Sequence, residues 1–299
     1  MRAYLVYGLY RLAGGLVNCL SLRSAYRLAG WCGWLLYLLS GRLERALIDN
    51  MRQVLGPDAL GAGKGRQQVR RHVRRICANL LKGYCDLFRV DRLTAGEIKE
   101  LVQVEGWEHL EQAVAKGQGV VIISPHFGSA ELAMQIPAVY GLPTTIVVER
   151  IRPERLYRYA ARQRASHGLR VMPADGPMLG LFRALKRGEV AILICDRDLT
   201  GNVRDTIFFG APARLPDGPV QVAWRTGAAL LPAFALRLAD DRARVTFEAP
   251  LELPHTDNRE ADVQAGVELV VAVLERWIGR HPDQWLVSVP VWSAGRSRQ

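Results

Sequence analysis

His126 closes a short apolar run in the stretch GVVIISPHFGSAE (119–131), and Glu131 follows five residues later. An imidazole next to a carboxylate is suited to one task in particular. One ring nitrogen removes a proton from a substrate hydroxyl, while a carboxylate on the other holds the ring in the tautomer that does so. Other chemistries are poorly served. Ser129 lacks the flanking glycines of a nucleophile elbow, and no phosphate-binding loop or dinucleotide fingerprint follows a strand. The remaining histidines (His72, His109, His167, His255 and His281) are scattered without metal-ligand spacing, so no metal is expected. The residue types point to a general base, with developing negative charge met by arginines and backbone N–H groups.

The elements that must position this histidine are legible around it. Val120 to Ile123 are β-branched and bounded by glycine and Ser-Pro, which reads as a buried strand. A single helix over 126–131 would place the two side chains well apart around its axis. A bend at Gly128 with Ser129 as N-cap instead puts Glu131 in a first helical turn, within reach of the imidazole. From residue 100 the chain alternates. VQVEGWEHLEQAVAKGQG reads as strand then helix, ELAMQIPAVYG as helix, TTIVVER as strand and PERLYRYAARQRASHG as helix. LRVMPA, GPMLGLFRALKRG and AILICDRD continue as strand, helix and strand. Such alternation implies right-handed crossovers and a mostly parallel sheet flanked by helices, with function at the carboxyl ends of the strands. Those ends deliver His126, then Glu149 and Arg150, then Asp196, Arg197 and Asp198, which nominates one sheet edge as the active site. Later, RARVTFEAPLEL reads as a strand pair and DVQAGVELVVAVLERWIGR as an amphipathic core helix.

Charge is distributed unevenly. Residues 1–85 hold 14 Lys and Arg against 3 Asp and Glu, a balance of +11, whereas residues 86–299 hold 26 of each. Five scattered cysteines without CxxC spacing argue against a disulfide framework and for a reducing compartment. Residues 3–39 combine Tyr4, Tyr7, Tyr10, Trp31, Trp34 and Tyr37 with Arg11, Arg23 and Arg27. Their longest apolar stretch, Leu28 to Leu39, is about 12 residues against the roughly 20 needed to span a bilayer. A helix lying in the headgroup region suits that composition, with ordinary core helices as the alternative. Residues 66–88 place Val69, Val73, Ile76, Leu80 and Tyr84 at helical spacing beneath Arg66, Arg70, Arg71, Arg74 and Arg75. Anionic lipid or an acidic carrier protein fits this basic helix. Nucleic acid does not, since no reader motif accompanies it.

The PHFGSAEL stretch resembles the H-x4-[D/E] block of the lysophospholipid acyltransferase superfamily. More closely, the chain resembles its bacterial glycolipid acyltransferase branch, the late lipid A acyltransferases and the phosphatidylinositol mannoside acyltransferases. RALIDNMRQVLG (45–56), VVERIRPERLYRYAARQRASHG (147–168), ILICDRDLTG (192–201), FFGAPARLPDGPVQVAWRTGAALLP (208–232) and HPDQWL (281–286) occur in the expected order, with CDRDL and PERLY leaning to the mannoside branch. The resemblance implies transfer of an acyl chain from a coenzyme A or carrier-protein thioester to a glycolipid hydroxyl, without cofactor, metal or covalent intermediate. It makes His126 the base and leaves its partner open between Glu131 and Asp196. It also implies that Arg164 positions donor or acceptor and that Glu149 holds Arg164, with Arg150, Arg152, Arg197 and Arg214 as weaker candidates for phosphate contacts. Residues 208–219 depart from the Glu-Gly-Thr-Arg of the simpler phospholipid enzymes, so phosphate-binding residues do not carry over from them.

The expected protein is therefore an α/β acyltransferase with a helical, membrane-facing N-terminal region over 1–95 and a catalytic domain over 96–299. Its expected place is the cytoplasmic face of the inner membrane, peripheral or monotopic, on an anionic lipid surface. An acyl groove is expected beside the sheet, lined partly by Phe127, Leu132 and Met134. The competing readings are a non-enzymatic lipid-binding protein and an acyl-thioester hydrolase.

Overall fold

A computed structural model describes residues 2–56, 63–198 and 201–292. Leu199 and Thr200 of the 192–201 block lie outside the described residues. Four helices come first: α1 (Arg2–Cys19), α2 (Leu22–Leu39), α3 (Gly41–Leu55) and α4 (Lys64–Arg89). The alternating part follows with α5 (Ala95–Leu101), β1 (Val102–Glu105), α6 (Trp107–Ala115), β2 (Val120–Ser124), α7 (Ala130–Ala133), α8 (Ile136–Val139) and β3 (Thr144–Val148). It continues through α9 (Glu154–Arg164), β4 (Arg170–Pro173), α10 (Leu179–Lys186) and β5 (Val190–Ile194). The hairpin β6 (Val203–Phe208) and β7 (Ala211–Pro216), then α11 (Gly218–Thr226), β8 (Ala229–Arg237), β9 (Ala243–Phe247) and α12 (Arg259–Arg280) complete the described elements.

Seven strands form one sheet in the order β1-β9-β8-β2-β5-β3-β4, in which every pairing is parallel except β8 with β9. Core strands without polar alternation, such as VVIIS and VAILI, are what a sheet covered on both faces requires. Val120 to Ile123 and Val190 to Leu193 are buried. Three elements differ from the sequence reading. ELAMQIPAVYG breaks into two single-turn helices, because Pro137 has no N–H to continue the first. RARVTFEAPLEL supplies only β9. Its partner β8 comes from GAALLPAFALR, where the continuous apolar pattern does not tell helix from strand.

The N-terminal helices share the sheet's core. Tyr37, Leu47, Met51, Val69, Val73 and Ile76 pack in one cluster with Val121, Leu193, Phe234 and Trp285. Helix α2 lies so close to α4 that a Cβ on Gly33 would sit 2.6 Å from the Ala78 Cα and 2.8 Å from the Cys77 carbonyl oxygen. The opposite faces of α1 and α2 are bare: Leu5, Leu9, Leu12, Trp31, Leu38 and Leu39 are more than half exposed. Among the described residues no helix is long and apolar enough to cross a membrane.

Gly33→Val should force α2 off α4 and cost about 1–3 kcal/mol, as overpacking does. Thermal unfolding of the purified variant checks this, and an unchanged midpoint would mean the two helices do not depend on that close approach.

Candidate active site

Parallel pairing places the central residues. Strand β2 runs in register with β5, Val120 opposite Val190 and Ser124 opposite Ile194. His126 and Asp196 each stand two residues beyond those ends, so the register itself sets them side by side. The His126 Nδ1–H donates to Asp196 Oδ1 at 2.8 Å, and the His126 backbone N–H donates to Oδ2 at 2.8 Å. A carboxylate only accepts, so Nδ1 carries the proton and Nε2 is the basic nitrogen. No other hydrogen bond to the ring is present among the described residues. The imidazole is about a third exposed and Asp196 is fully buried.

A third donor completes the carboxylate. The Trp285 indole N–H reaches Asp196 Oδ2 at 2.8 Å. Burial works against the Asp196 charge, but the adjacent His126 and these hydrogen bonds outweigh it and hold the carboxyl below its usual range. The segment carrying Trp285 also fastens the histidine loop. The Leu286 N–H donates to the His126 carbonyl at 2.7 Å, and the Gly128 N–H donates to the Gln284 carbonyl at 2.8 Å. Gly128 has φ +50° and approaches so closely that a Cβ there would lie 2.0 Å from the Ala235 carbonyl oxygen.

The motif carboxylate has a different partner. Ser129 occupies the N-cap position and Glu131 the first turn of α7, as the spacing predicts, but Glu131 turns away from the imidazole. Arg164 at the end of α9 grips it as a fork, with Nε donating to Oε2 at 2.9 Å and Nη2 to Oε1. The Ser129 hydroxyl does not cap the helix; it donates to Asp86. Glu149 does not hold Arg164, correcting that expectation; it receives Arg197 Nη2. The choice left open between Glu131 and Asp196 falls to Asp196, and the pairing of Glu149 that the resemblance implied falls to Arg197, because α9 and the β5 loop sort the carboxylates and only the fold supplies their positions.

His126, Glu131, Glu149, Arg164 and Arg197 line one cleft of about 310 Å³ at the carboxyl edge of the sheet. Its roof comes from the N-terminal helices, through Tyr10 of α1 and Leu80, Tyr84 and Leu87 of α4. Phe127 and Met134 line it too, whereas Leu132 is buried in the core under α7 and takes no part. Arg150 lies outside the cleft lining, paired with Asp175 and Glu154. Arg214 is exposed on the hairpin strand β7 beside Asp205, also away from the cleft. Arg152 is likewise absent from the lining. A second, largely apolar cavity of about 400 Å³ meets the cleft at Val147, Ile194 and Arg197 and extends between α10 and α11. Sequence reasoning missed Trp285, because 89 residues separate it from Asp196 and no local rule links an indole to a carboxylate. The HPDQWL block was the one available signal.

A family model described as bacterial lipid A biosynthesis acyltransferase matches residues 1–293. A phosphatidylinositol mannoside acyltransferase of Mycolicibacterium smegmatis is 30% identical over 87% of this chain and 91% of its own. Its counterpart in Mycobacterium tuberculosis is 30% identical over 78% of this chain and 79% of its own. A lipid A biosynthesis palmitoleoyltransferase of Escherichia coli is 25% identical over 63% and 60%. Among solved structures, a 1-acyl-sn-glycerophosphate acyltransferase from Thermotoga maritima aligns with a TM-score of 0.38 and 13% identity, covering 85% of this chain and 97% of that one.

The lowered Asp196 carboxyl makes the folded chain bind fewer protons than the unfolded one near that group's titration. Its contribution to stability is present above about pH 4 and is lost as the pH falls through the folded value. Urea unfolding should therefore show wild type losing more stability than Asp196→Asn between about pH 5 and pH 3. Equal losses would mean the carboxylate is not held as described. Trp285→Phe should lower kcat by about tenfold, the worth of one hydrogen bond to a buried charge, with KM little changed. Steady-state kinetics at neutral pH read both.

Proposed function

Because the chain belongs to the bacterial lipid A biosynthesis acyltransferase family, we propose that its cleft transfers a long acyl chain from a coenzyme A thioester to a sugar hydroxyl of a glycolipid of the phosphatidylinositol mannoside kind. The observation that carries the chemistry is the His126–Asp196 pair, with Nδ1 committed to a buried carboxylate and Nε2 left free on a partly exposed imidazole that lines the cleft. His126 Nε2 takes the proton of the acceptor hydroxyl as its oxygen attacks the thioester carbonyl carbon. A carbon–oxygen bond forms, the carbon–sulfur bond breaks, and the proton passes from the imidazolium to the departing thiolate. Asp196 steadies the imidazolium between the two transfers.

The remaining residues have supporting parts in this reading. The Glu131–Arg164 fork, four-fifths buried, holds the cleft wall and presents a cation to an anionic headgroup. Arg197, bridged to Glu149 where the two cavities meet, marks the passage between a polar cleft and an apolar chamber. Leu87, Met134, Ile146 and Ile151 give the cleft the apolar surface that an acyl chain requires. The mannoside acceptor is favoured over a lipid A precursor because the mannoside enzymes match at 30% over 87% of the chain, against 25% over 63%. A carrier-protein donor is the second reading, favoured by the exposed Arg66, Arg70, Arg71 and Arg74 on α4.

Attachment to the bilayer is supported by the bare faces of α1 and α2. Trp31 and Trp34 stand together on α2, with ring centroids 6.1 Å apart and the residues 66% and 44% exposed. Arg74 lies over the buried Tyr37 ring at 5.2 Å, so the basic helix α4 borders the aromatic α2. That pairing suits peripheral binding to anionic lipid, with each near-surface cation contributing about 1 kcal/mol.

Transfer of radiolabelled palmitate from palmitoyl-coenzyme A should label a mannosylated phosphatidylinositol and not a lipid A precursor. His126→Ala should reduce the rate about 100-fold to 10,000-fold. Label on the lipid A precursor alone would reverse the choice of acceptor. Release of free palmitate regardless of acceptor would make the protein a hydrolase. For the surface, Trp31→Ala with Trp34→Ala should weaken sedimentation with phosphatidylglycerol vesicles about tenfold. Unchanged sedimentation would remove α2 from the docking face.

A further inference from the structure

Asp86 of α4 is fully buried and plays no part in the chemistry above, yet it gathers three donors from three separate elements. The Tyr26 hydroxyl of α2 donates to Oδ1 at 2.5 Å. The Ser129 hydroxyl, at the start of α7, donates to Oδ2 at 3.1 Å, and Arg237 at the end of β8 donates to the same oxygen. The Arg237 guanidinium is itself buried and lies over the Tyr26 ring, 5.1 Å from its centroid. Burial, reinforced by the Asp86 charge, pushes the Tyr26 phenol up, so it stays a donor.

A buried ion pair is costly to desolvate and contributes little net stability compared with apolar packing. Its usefulness is better sought in what it holds still. Ser129 lies between His126 and Glu131, and its backbone N–H is already tied to the Ala235 carbonyl at 3.2 Å. Arg237 is clasped on its backbone side by Gln284, whose carbonyl receives the Gly128 N–H. Asp86 therefore sits where the loop bearing the base and the fork carboxylate meets α2, the helix with the bare aromatic face.

We propose that Asp86 is a positioning residue: by holding Ser129 and Tyr26 at once, it fixes the His126–Glu131 loop and ties its placement to the seating of α2. Loss of either hydroxyl leaves the Asp86–Arg237 pair intact but frees one side of the clamp. Asp86 is a poor probe because removing it strands a buried guanidinium, so Tyr26→Phe and Ser129→Ala are the informative variants.

The test has two arms. The kinetic arm rests on the acyl-transfer reading above; the exchange arm does not. In the first, Tyr26→Phe and Ser129→Ala should each lower kcat about fivefold to tenfold while KM for donor and acceptor stays within about twofold. Ser129→Thr, which keeps the hydroxyl, should recover most of the loss. In the second, amide hydrogen exchange of the full-length protein should run about fivefold faster across 126–131 in Tyr26→Phe, with the β5 amides unchanged. Wild-type exchange and wild-type kcat in Tyr26→Phe would overturn the proposal. So would faster exchange throughout β5, which would mark a general loss of stability. If wild type itself transfers no acyl group, the acyl-transfer reading fails and the exchange result alone decides the role of Asp86.

Discussion

The in-register parallel pairing of β2 with β5 is the constraint on which the site depends. Residues two beyond Ser124 and two beyond Ile194 are brought together by the ladder, without help from any local motif. Those residues are an imidazole and a carboxylate. The carboxylate is taken wholly out of water, a position an ion tolerates only with its lone pairs occupied. His126 contributes two donors and Trp285 a third, so the orienting group is satisfied without solvent. An imidazole held at one nitrogen by a rigid, dry carboxylate keeps its other nitrogen in one place. The C-terminal segment 284–286 follows from the same requirement, since it closes the far side of the loop that the sheet edge leaves open.

Around that pair, charge is sorted by geometry. Glu131 forks with Arg164 and Glu149 meets Arg197, so both carboxylates at the cleft are spoken for by guanidinium groups. The cleft thus presents one imidazole, two bridged cations and apolar walls. The roof provided by α1 and α4 puts the cleft beside helices whose outer faces carry exposed leucine and tryptophan. The cleft and the bare apolar faces are therefore neighbouring parts of one molecule.

The helical region is continuous with the core of the sheet. Gly33 lets α2 rest on the backbone of α4, and α4 carries Asp86 into contact with the loop that bears His126. Buried apolar side chains from α2, α3 and α4 merge with those of β2, β5 and β8. Packing at crystal-like density transmits displacement, so the position of the outer helices and that of the loop are mechanically linked.

Much was determined by the sequence alone. Short β-branched runs alternating with amphipathic segments specify a mostly parallel sheet, because a strand covered on both faces and a helix covered on one have different apolar periods. Ionisable residues directly after three such runs specify a functional edge. The excess of arginine before residue 86, with tryptophan and tyrosine among short apolar stretches, marks a segment suited to a lipid surface. The tertiary structure alone decided which charge meets which. Asp196 rather than Glu131 orients His126, because strand register operates across 70 residues whereas a five-residue spacing only places Glu131 in the next turn. The Trp285 indole, the Asp86 clamp and β8 were invisible for a related reason. Each depends on elements distant in the chain meeting in space, and hydrogen-bond partnership at such separations has no periodicity for a sequence to display.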